Sequence, residues 1–355
     1  MKKKFRDFLL ILLSFAIFFE LFFILFDKYY LQPKKIPDLL FQQINDLSKK
    51  VHHLRRINTD KKIMMNEFKQ NNNYLIYDEF LKFDKKKTNI LIQGDSWIEF
   101  LRQNKNKDYI LKLMDENKFG FISSGTASYS PSLMSTQQNI LIENFNIKPD
   151  ILIAYIDQTD IGDELCRYRD KISIKNNKII IPYDKKKYNY FNDYFFIERQ
   201  KIIRSENLNF FRFIKLINYT FNYNLAKNKK SECSIDNILE PLNKLDIEDA
   251  NYFIKTLEKF INVSKQNKIE KIILISHPHK NHLNQTYSVN VKNLIDLYLK
   301  QIKEDLDINH YYINNFKYSK SISIFRENDQ ASHLNQAGYE NFIDQIIDII
   351  NLETK

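Results

Sequence analysis

Gly94-Asp95-Ser96 closes a short apolar run, Ile90 to Ile92, and opens a stretch with helical spacing through Trp97, Phe100 and Leu101. Glycine permits a tight turn there. The helix N-terminus behind it offers free backbone N–H groups to developing negative charge. A serine so placed can act as a nucleophile whose own N–H helps form an oxyanion hole. The same tripeptide reads equally well as a turn plus a helix cap. A second set stands near the C-terminus, where Asp329 and His333 precede Leu334, Asn335 and Gly338. Between the two sets lie polar segments running from Ser123 through Gly125 and Tyr129 to Pro131, and from Asp157 through Gln158 and Thr159 to Asp160. A serine, a late Asp/His pair and polar loops between them are the parts of a serine hydrolase.

The elements that must position these residues alternate. Strand-like runs occur at Ile90–Ile92, Phe119–Ser123, Ile151–Ile156, Lys271–Ser276 and Tyr311–Ile313. Helical spacing falls at Tyr109–Asn117, Gln137–Phe145, Ile247–Gln266, Val291–Leu306 and Asn335–Ile350. Continuous apolar strands between helices indicate a parallel sheet covered on both faces. The expected fold class is therefore α/β, a three-layer α/β/α sandwich of flavodoxin-like type with a mainly parallel sheet. Sites in such sheets form beyond the C-terminal ends of the strands, where all four polar segments stand. The alternation breaks over about 165–245, read as an insertion with a hairpin around Lys175-Asn176-Asn177.

Ahead of this domain, residues 1–7 form a basic tail and 8–26 an apolar run interrupted only by Ser14 and Glu20. That run is long enough for a transmembrane signal anchor. Its basic flank predicts a cytoplasmic N-terminus and an extracytoplasmic remainder. No A-x-A-like cleavage site follows it. Glu20 is a cost in lipid, met by a partner helix or by a shallow position near the outer interface. Leu40, Ile44, Leu47, Val51 and Leu54 repeat as a helical stalk would require, so 27–73 is read as a stalk and 74–355 as the main domain.

The order and chemistry of the four segments resemble the SGNH (GDSL-type) hydrolase family over roughly residues 88–160 and 268–352. The resemblance implies Ser96 as nucleophile, Gly125 as an oxyanion-hole donor and His333 as base. Pro149-Asp150, Asp157-Gln158-Thr159-Asp160 and His333-Leu334-Asn335 are similar to the membrane-anchored, polysaccharide-modifying branch. Two positions depart from the family pattern. Thr159 stands where an asparagine usually supplies the third oxyanion donor, leaving the Thr159 hydroxyl or the Gln158 amide for that role. Gln330 stands where the triad aspartate usually lies, with Asp329 one residue further back. Either the loop bulges and Asp329 orients His333, or the site works as a Ser–His pair.

Read together, these features lead to a serine esterase or O-acetyltransferase that forms an acyl-enzyme on Ser96, with no metal or cofactor. The expected substrate is an acylated cell-envelope glycan, and the expected location the bacterial inner membrane with the catalytic domain periplasmic. The alternative is a catalytically weak SGNH-like domain that binds glycan or holds a membrane-bound O-acyltransferase. Trp97, Tyr129, Asp160, His277 and His279 are candidate substrate contacts, although Trp97 also suits packing beneath the turn. His277, His279 and His282 have metal-like spacing but no carboxylate placed beside them. The net charge is +10, yet the lysines sit scattered or in loop runs, with no basic helix, so nucleic acid is not an expected partner. The two cysteines, Cys166 and Cys233, can pair in an oxidising compartment, but nothing in the sequence demands it.

Overall fold

The computed structural model describes residues 2–36, 38, 41–42, 45, 81–82, 86–102, 104–145, 147–169, 173–175, 178–180, 191–205, 209–227, 233–302, 307–313 and 322–355. The chain divides into two compact units, one of residues 1–55 and 183–232, the other of 56–182 and 233–355. The expected stalk lies outside the described residues beyond Asn45.

In chain order, the labelled elements begin with helix α1 (Lys2–Phe26), strands β1 (Leu81–Lys82) and β2 (Asn89–Gly94), and helices α2 (Ser96–Glu99) and α3 (Asn104–Glu116). Strand β3 (Gly120–Gly125), helix α4 (Pro131–Phe145), strand β4 (Ile151–Tyr155) and the short strands β5 (Ser173–Lys175) and β6 (Lys178–Ile180) follow. Then come helices α5 (Phe191–Arg204), α6 (Asn209–Lys227) and α7 (Ile247–Gln266) and strand β7 (Lys271–Ser276). Helix α8 (Val291–Gln301), strand β8 (Ile308–Tyr312) and helix α9 (Gln336–Glu353) close the chain.

The larger unit holds a six-stranded sheet in the order β1-β3-β2-β4-β7-β8. Five strands are parallel, and β1 adds an antiparallel edge to β3. Strand alternation sends Ile90, Ile92, Ile151, Ile153, Ile273 and Ile275 into one buried layer with Ile110 and Met114 of α3 and Phe342, Ile343 and Ile346 of α9. Leu91, Leu152 and Leu274, also buried, face the opposite layer, where α4 packs on α7. This is the three-layer arrangement that the sequence pattern requires.

Some boundaries differ from the periodicity. Helix α4 begins at Pro131 rather than Gln137, because proline is tolerated in a first turn, where its missing N–H is not needed. Strand β8 begins at Ile308 rather than Tyr311. Its Asn309 and His310 disguise the strand, and the His310 ring is satisfied by Ser276 Oγ and the Asp296 carboxylate, each at 2.8 Å. In the same unit β5 and β6 pair as the expected hairpin. Cys166 and Cys233 form a disulfide that closes a loop of 67 residues.

In the smaller unit α1 is long and apolar enough to cross a membrane. Helix α6 packs beside its C-terminal turns through Phe213, which contacts Phe22, Phe23 and Phe26. Arg212 pairs with Asp27 at 2.9 Å, and the Arg204 side chain reaches the Ile36 carbonyl and Asp38. Glu20 lies at the seam between α1 and α6, lining a cavity with Phe19, Phe23, Phe210 and Phe213.

Candidate active site

Strands β2 and β3 end in register, Gly94 opposite Gly125. Both glycines are needed for contact rather than for positive φ. A Cβ on Gly125 would stand 2.2 Å from Glu99 N and 2.3 Å from Ile98 C, so only glycine lets β3 lie against the turn that carries Ser96. A Cβ on Gly94 would meet the Ile98 side chain at 2.6 Å. The tripeptide then divides its work. Asp95 is the cap, accepting the Trp97 N–H at 2.9 Å. Ser96 is left facing outward at the helix start.

Ser96 Oγ lies 2.7 Å from His333 Nε2, across 237 residues of sequence. His333 Nδ1 lies 2.7 Å from Asp329 Oδ2. The extra residue between Asp329 and His333 is absorbed by a tight turn. Asp329 Oδ1 accepts the Ala331 N–H at 2.9 Å, the Ser332 N–H reaches the Asp329 carbonyl at 3.2 Å, and Ser332 takes a φ of 60°. The loop therefore bulges and brings the carboxylate to the histidine. Burial alone raises the Asp329 carboxyl, but the hydrogen bond and charge of His333 outweigh it and hold it below its ordinary value. A carboxylate that stays ionised fixes the imidazole tautomer, with Nδ1–H toward Asp329 and Nε2 free to accept the Ser96 proton.

Several residues that the motifs did not announce hold this loop. Lys280 Nζ donates to the Asp329 carbonyl, and Lys280 N donates to Ser332 Oγ at 3.2 Å. His279 Nε2 lies 2.8 Å from the Gln330 carbonyl. Phe100 meets the His333 ring edge-to-face, centroids 4.9 Å apart, and the Arg326 guanidinium lies over Phe100. Glu164 is buried and accepts from Ser130 Oγ, Ser132 N and Ser132 Oγ, which anchors the loop after β3. Glu99 accepts the Ala127 N–H in the same loop. Apart from the two residues of the histidine-rich loop, no local pattern marks these side chains, since each acts on a segment distant in sequence.

Beneath Ser96 lies a group of buried acids: Asp95, Asp157, Asp160 and Asp163. Burial pushes all four carboxyls up, Asp163 to about 7 despite the opposing charge of Arg167. Asp95 Oδ2 stands 3.0 Å from Ser96 Oγ, so the serine hydroxyl has two acceptors, and His333 is the nearer.

The remaining candidates are held in the scaffold, Trp97 in the packing position beneath the turn that the sequence reading also gave it. Gln158 donates to the His277 carbonyl and to Asn290 Oδ1 and accepts the Val291 N–H, so its buried amide ties β4 to β7 and α8 rather than facing an oxyanion. The Thr159 hydroxyl donates to Asp157 Oδ2, which also accepts the Thr159 N–H. Asp160 is buried and returns a bond to the Asp157 N–H, a reciprocal box that shapes the turn instead of contacting substrate. Trp97 is core, stacked on Tyr155 at 5.2 Å and against His277 at 4.7 Å. Tyr129 and His277 are buried too, and burial drives His277 well below its ordinary pKa. His279 and His282 each hold a backbone carbonyl through Nε2, of Gln330 and Val289. None of Trp97, Tyr129, Asp160 and His277 offers a surface to substrate, because each completes a buried layer under the site.

The class defined by this geometry is an α/β sandwich with a Ser–His–Asp arrangement at the C-terminal ends of its parallel strands. No family model matches the chain, and no curated protein matches its sequence. Among solved structures, two are similar to this chain at low scores. A carbohydrate esterase family 3 protein from Talaromyces cellulolyticus is 10% identical, with a TM-score of 0.36, covering 75% of this chain and 98% of its own. An alpha/beta hydrolase fold protein of unknown function is 11% identical, with a TM-score of 0.30, covering 76% of this chain and 88% of its own. At such scores neither bears on substrate or mechanism.

Proposed function

We propose that the protein is a serine-dependent acyl-ester hydrolase or O-acyltransferase acting on O-acetyl groups of an extracytoplasmic cell-envelope glycan. The observation that carries this reading is the pair of 2.7 Å contacts that His333 makes with Ser96 and Asp329. His333 takes the Ser96 proton as Oγ attacks the ester carbonyl, and the backbone N–H groups of Ser96 and Gly125 receive the oxyanion. His333 then returns the proton to the departing sugar oxygen. Water or a second sugar hydroxyl, deprotonated by His333, attacks the acyl-enzyme and releases Ser96. Both outcomes share the same intermediate, so the acceptor decides between hydrolysis and transfer.

The location follows the same line of reasoning. Lys2, Lys3, Lys4 and Arg6 precede the apolar helix, which favours a cytoplasmic N-terminus and a periplasmic catalytic domain. The Cys166–Cys233 disulfide supports an oxidising compartment. A second reading, a glycan-binding or scaffold partner of a membrane-bound O-acyltransferase, draws on Gln158 and Thr159, whose donors are committed elsewhere.

Labelling of the full chain by a fluorophosphonate separates the two. The enzyme reading expects covalent labelling that vanishes in Ser96→Ala. Absence of labelling in the wild type, or its persistence in the variant, overturns it. An acetyl ester offered with and without a glycan acceptor then distinguishes hydrolase from transferase.

A further inference from the structure

Helix α6 carries two apolar faces where one would suffice for its packing. The first, through Phe213 and Leu216, joins α1, with Leu216 in a small cluster with Leu31 and Ile203. The second consists of Phe210, Phe211, Ile214, Ile217, Phe221 and Leu225, which are 44–61% exposed. At 100° per residue these six fall within an arc of about 120°, the width of a stripe that normally faces a core. The exposed Asn218 falls within this arc, and Asn222 and Lys215 border it. Among the described residues of this unit, Phe23 of α1 meets Phe210 at the start of the stripe, while Phe211, Ile214, Ile217, Phe221 and Leu225 remain about half exposed.

The surface beside it identifies its occupant. Helix α1 presents Phe8, Leu9, Leu10, Leu13, Phe18 and Leu21, all about half exposed or more. Its 25 residues span about 37 Å, enough to cross a hydrocarbon layer of about 30 Å. Helix α6 starts level with Phe23, where Phe210 meets it at 5.4 Å, and runs alongside toward Leu31. Its first turns therefore stand beside the last turns of the apolar run. There Tyr29 and Tyr30 are exposed and Lys34 lies over the Tyr30 ring, the residue types of a membrane–water boundary. The cavity of about 410 Å³ between Phe19, Phe23, Phe210 and Phe213 belongs to the same apolar surface.

We infer that α6 is a second membrane-embedded element, its outer stripe immersed in the lipid of the leaflet into which the C-terminal end of α1 emerges. The Phe210–Phe213 turn lies among the acyl chains, and from the level of Arg212 and Asp27 outward Ile214, Ile217, Phe221 and Leu225 lie along the headgroup region. A helix held this way is pinned to the bilayer at two points, with Arg212 and Asp27 joining them at the interface. The inference rests on α1 crossing the bilayer.

The chain has one tryptophan, Trp97, buried in the other unit. An added tryptophan is therefore readable above a constant background. Full-length Phe211→Trp, Leu225→Trp and Ile17→Trp are reconstituted in phospholipid nanodiscs with and without brominated acyl chains. The emission at position 211 is expected to fall by roughly half or more with brominated lipid, approaching position 17, with weaker quenching at 225. Quenching at 17 without quenching at 211 overturns the proposal and leaves the anchor standing, whether 211 is in water or covered by protein. Failure at both positions removes the anchor and the proposal together. Neither result bears on Ser96 labelling.

Discussion

Asp329 stands four residues before His333, and its Oδ2 still lies 2.7 Å from the histidine Nδ1. A one-residue displacement in a loop is tolerable because a turn can absorb it, here through the Asp329–Ala331 bond and the left-handed Ser332. The carboxylate thereby stands in hydrogen-bond contact with His333 Nδ1 and places its charge beside the imidazole.

Ser96→Ala and His333→Ala should each lower ester turnover by at least about a thousandfold, and Asp329→Asn by roughly 10²–10⁴-fold, with the fold retained. Steady-state rates on a chromogenic acetyl ester measure this. An Asp329→Asn variant at wild-type rate would mean that His333 needs no orienting carboxylate.

Lys280 grips the Asp329 carbonyl and does not touch Ser96. Lys280→Met keeps the stem and removes the ammonium. The expected outcome is a kcat lower by about ten- to a hundredfold, with KM little changed, because misplacing the Asp329 loop loosens the His333 geometry. Parallel loss of fluorophosphonate labelling rate checks that the effect lies in nucleophile activation.

Gly125→Ala should cost stability by about 1–3 kcal/mol, the usual penalty for overpacking. The added Cβ meets backbone atoms of Ile98 and Glu99 that cannot move without moving Ser96. A lowered thermal midpoint together with lost labelling is expected, and an unchanged midpoint would show that β3 and α2 are not in this contact.

The buried acids set an unusual pH dependence. Burial holds Asp163 at about 7 against an ordinary 3.8, so between about pH 4 and 7 the folded chain keeps a proton that the unfolded chain releases. Its contribution to stability therefore falls as pH rises through that window. Asp95, Asp157, Asp160 and Glu164 shift in the same direction. Asp329 shifts the other way, but its loss comes only on acidification below its ordinary value. Burial lowers His277, His279, His282 and His310, which opposes this trend below their ordinary 6.5, so the effect of the acids is read above it: the thermal midpoint should be higher at pH 7 than at pH 8. Asp160→Asn, which keeps an acceptor for the Asp157 N–H, should flatten the difference by raising the midpoint at pH 8.

Reducing the Cys166–Cys233 bond frees a loop of 67 residues, and chain entropy places its contribution at about 4 kcal/mol. Denaturant unfolding with and without reductant measures it.

What the sequence determined by itself is local. Ile90–Ile92, Ile151–Ile156 and Lys271–Ser276 announce buried parallel strands because β periodicity and apolar runs depend on near neighbours. The short strand–Gly-Asp-Ser–helix pattern around Gly94 and Ser96 and the Asp329–His333 pair are legible for the same reason. Tertiary structure alone decided the rest. Asp329 rather than Gln330 became the partner of His333, through a turn held from Lys280 and His279. Tyr129, Asp160 and His277 went beneath the site, and Gln158 and Thr159 gave their hydrogen bonds to the scaffold. Residue type makes all of these polar or aromatic side chains suited to substrate. Only the packing of segments hundreds of residues apart determines which of them keep a face to solvent, and Ser96 and His333 keep theirs because the ends of β2 and β3 and the loop before α9 meet at one edge of the sheet.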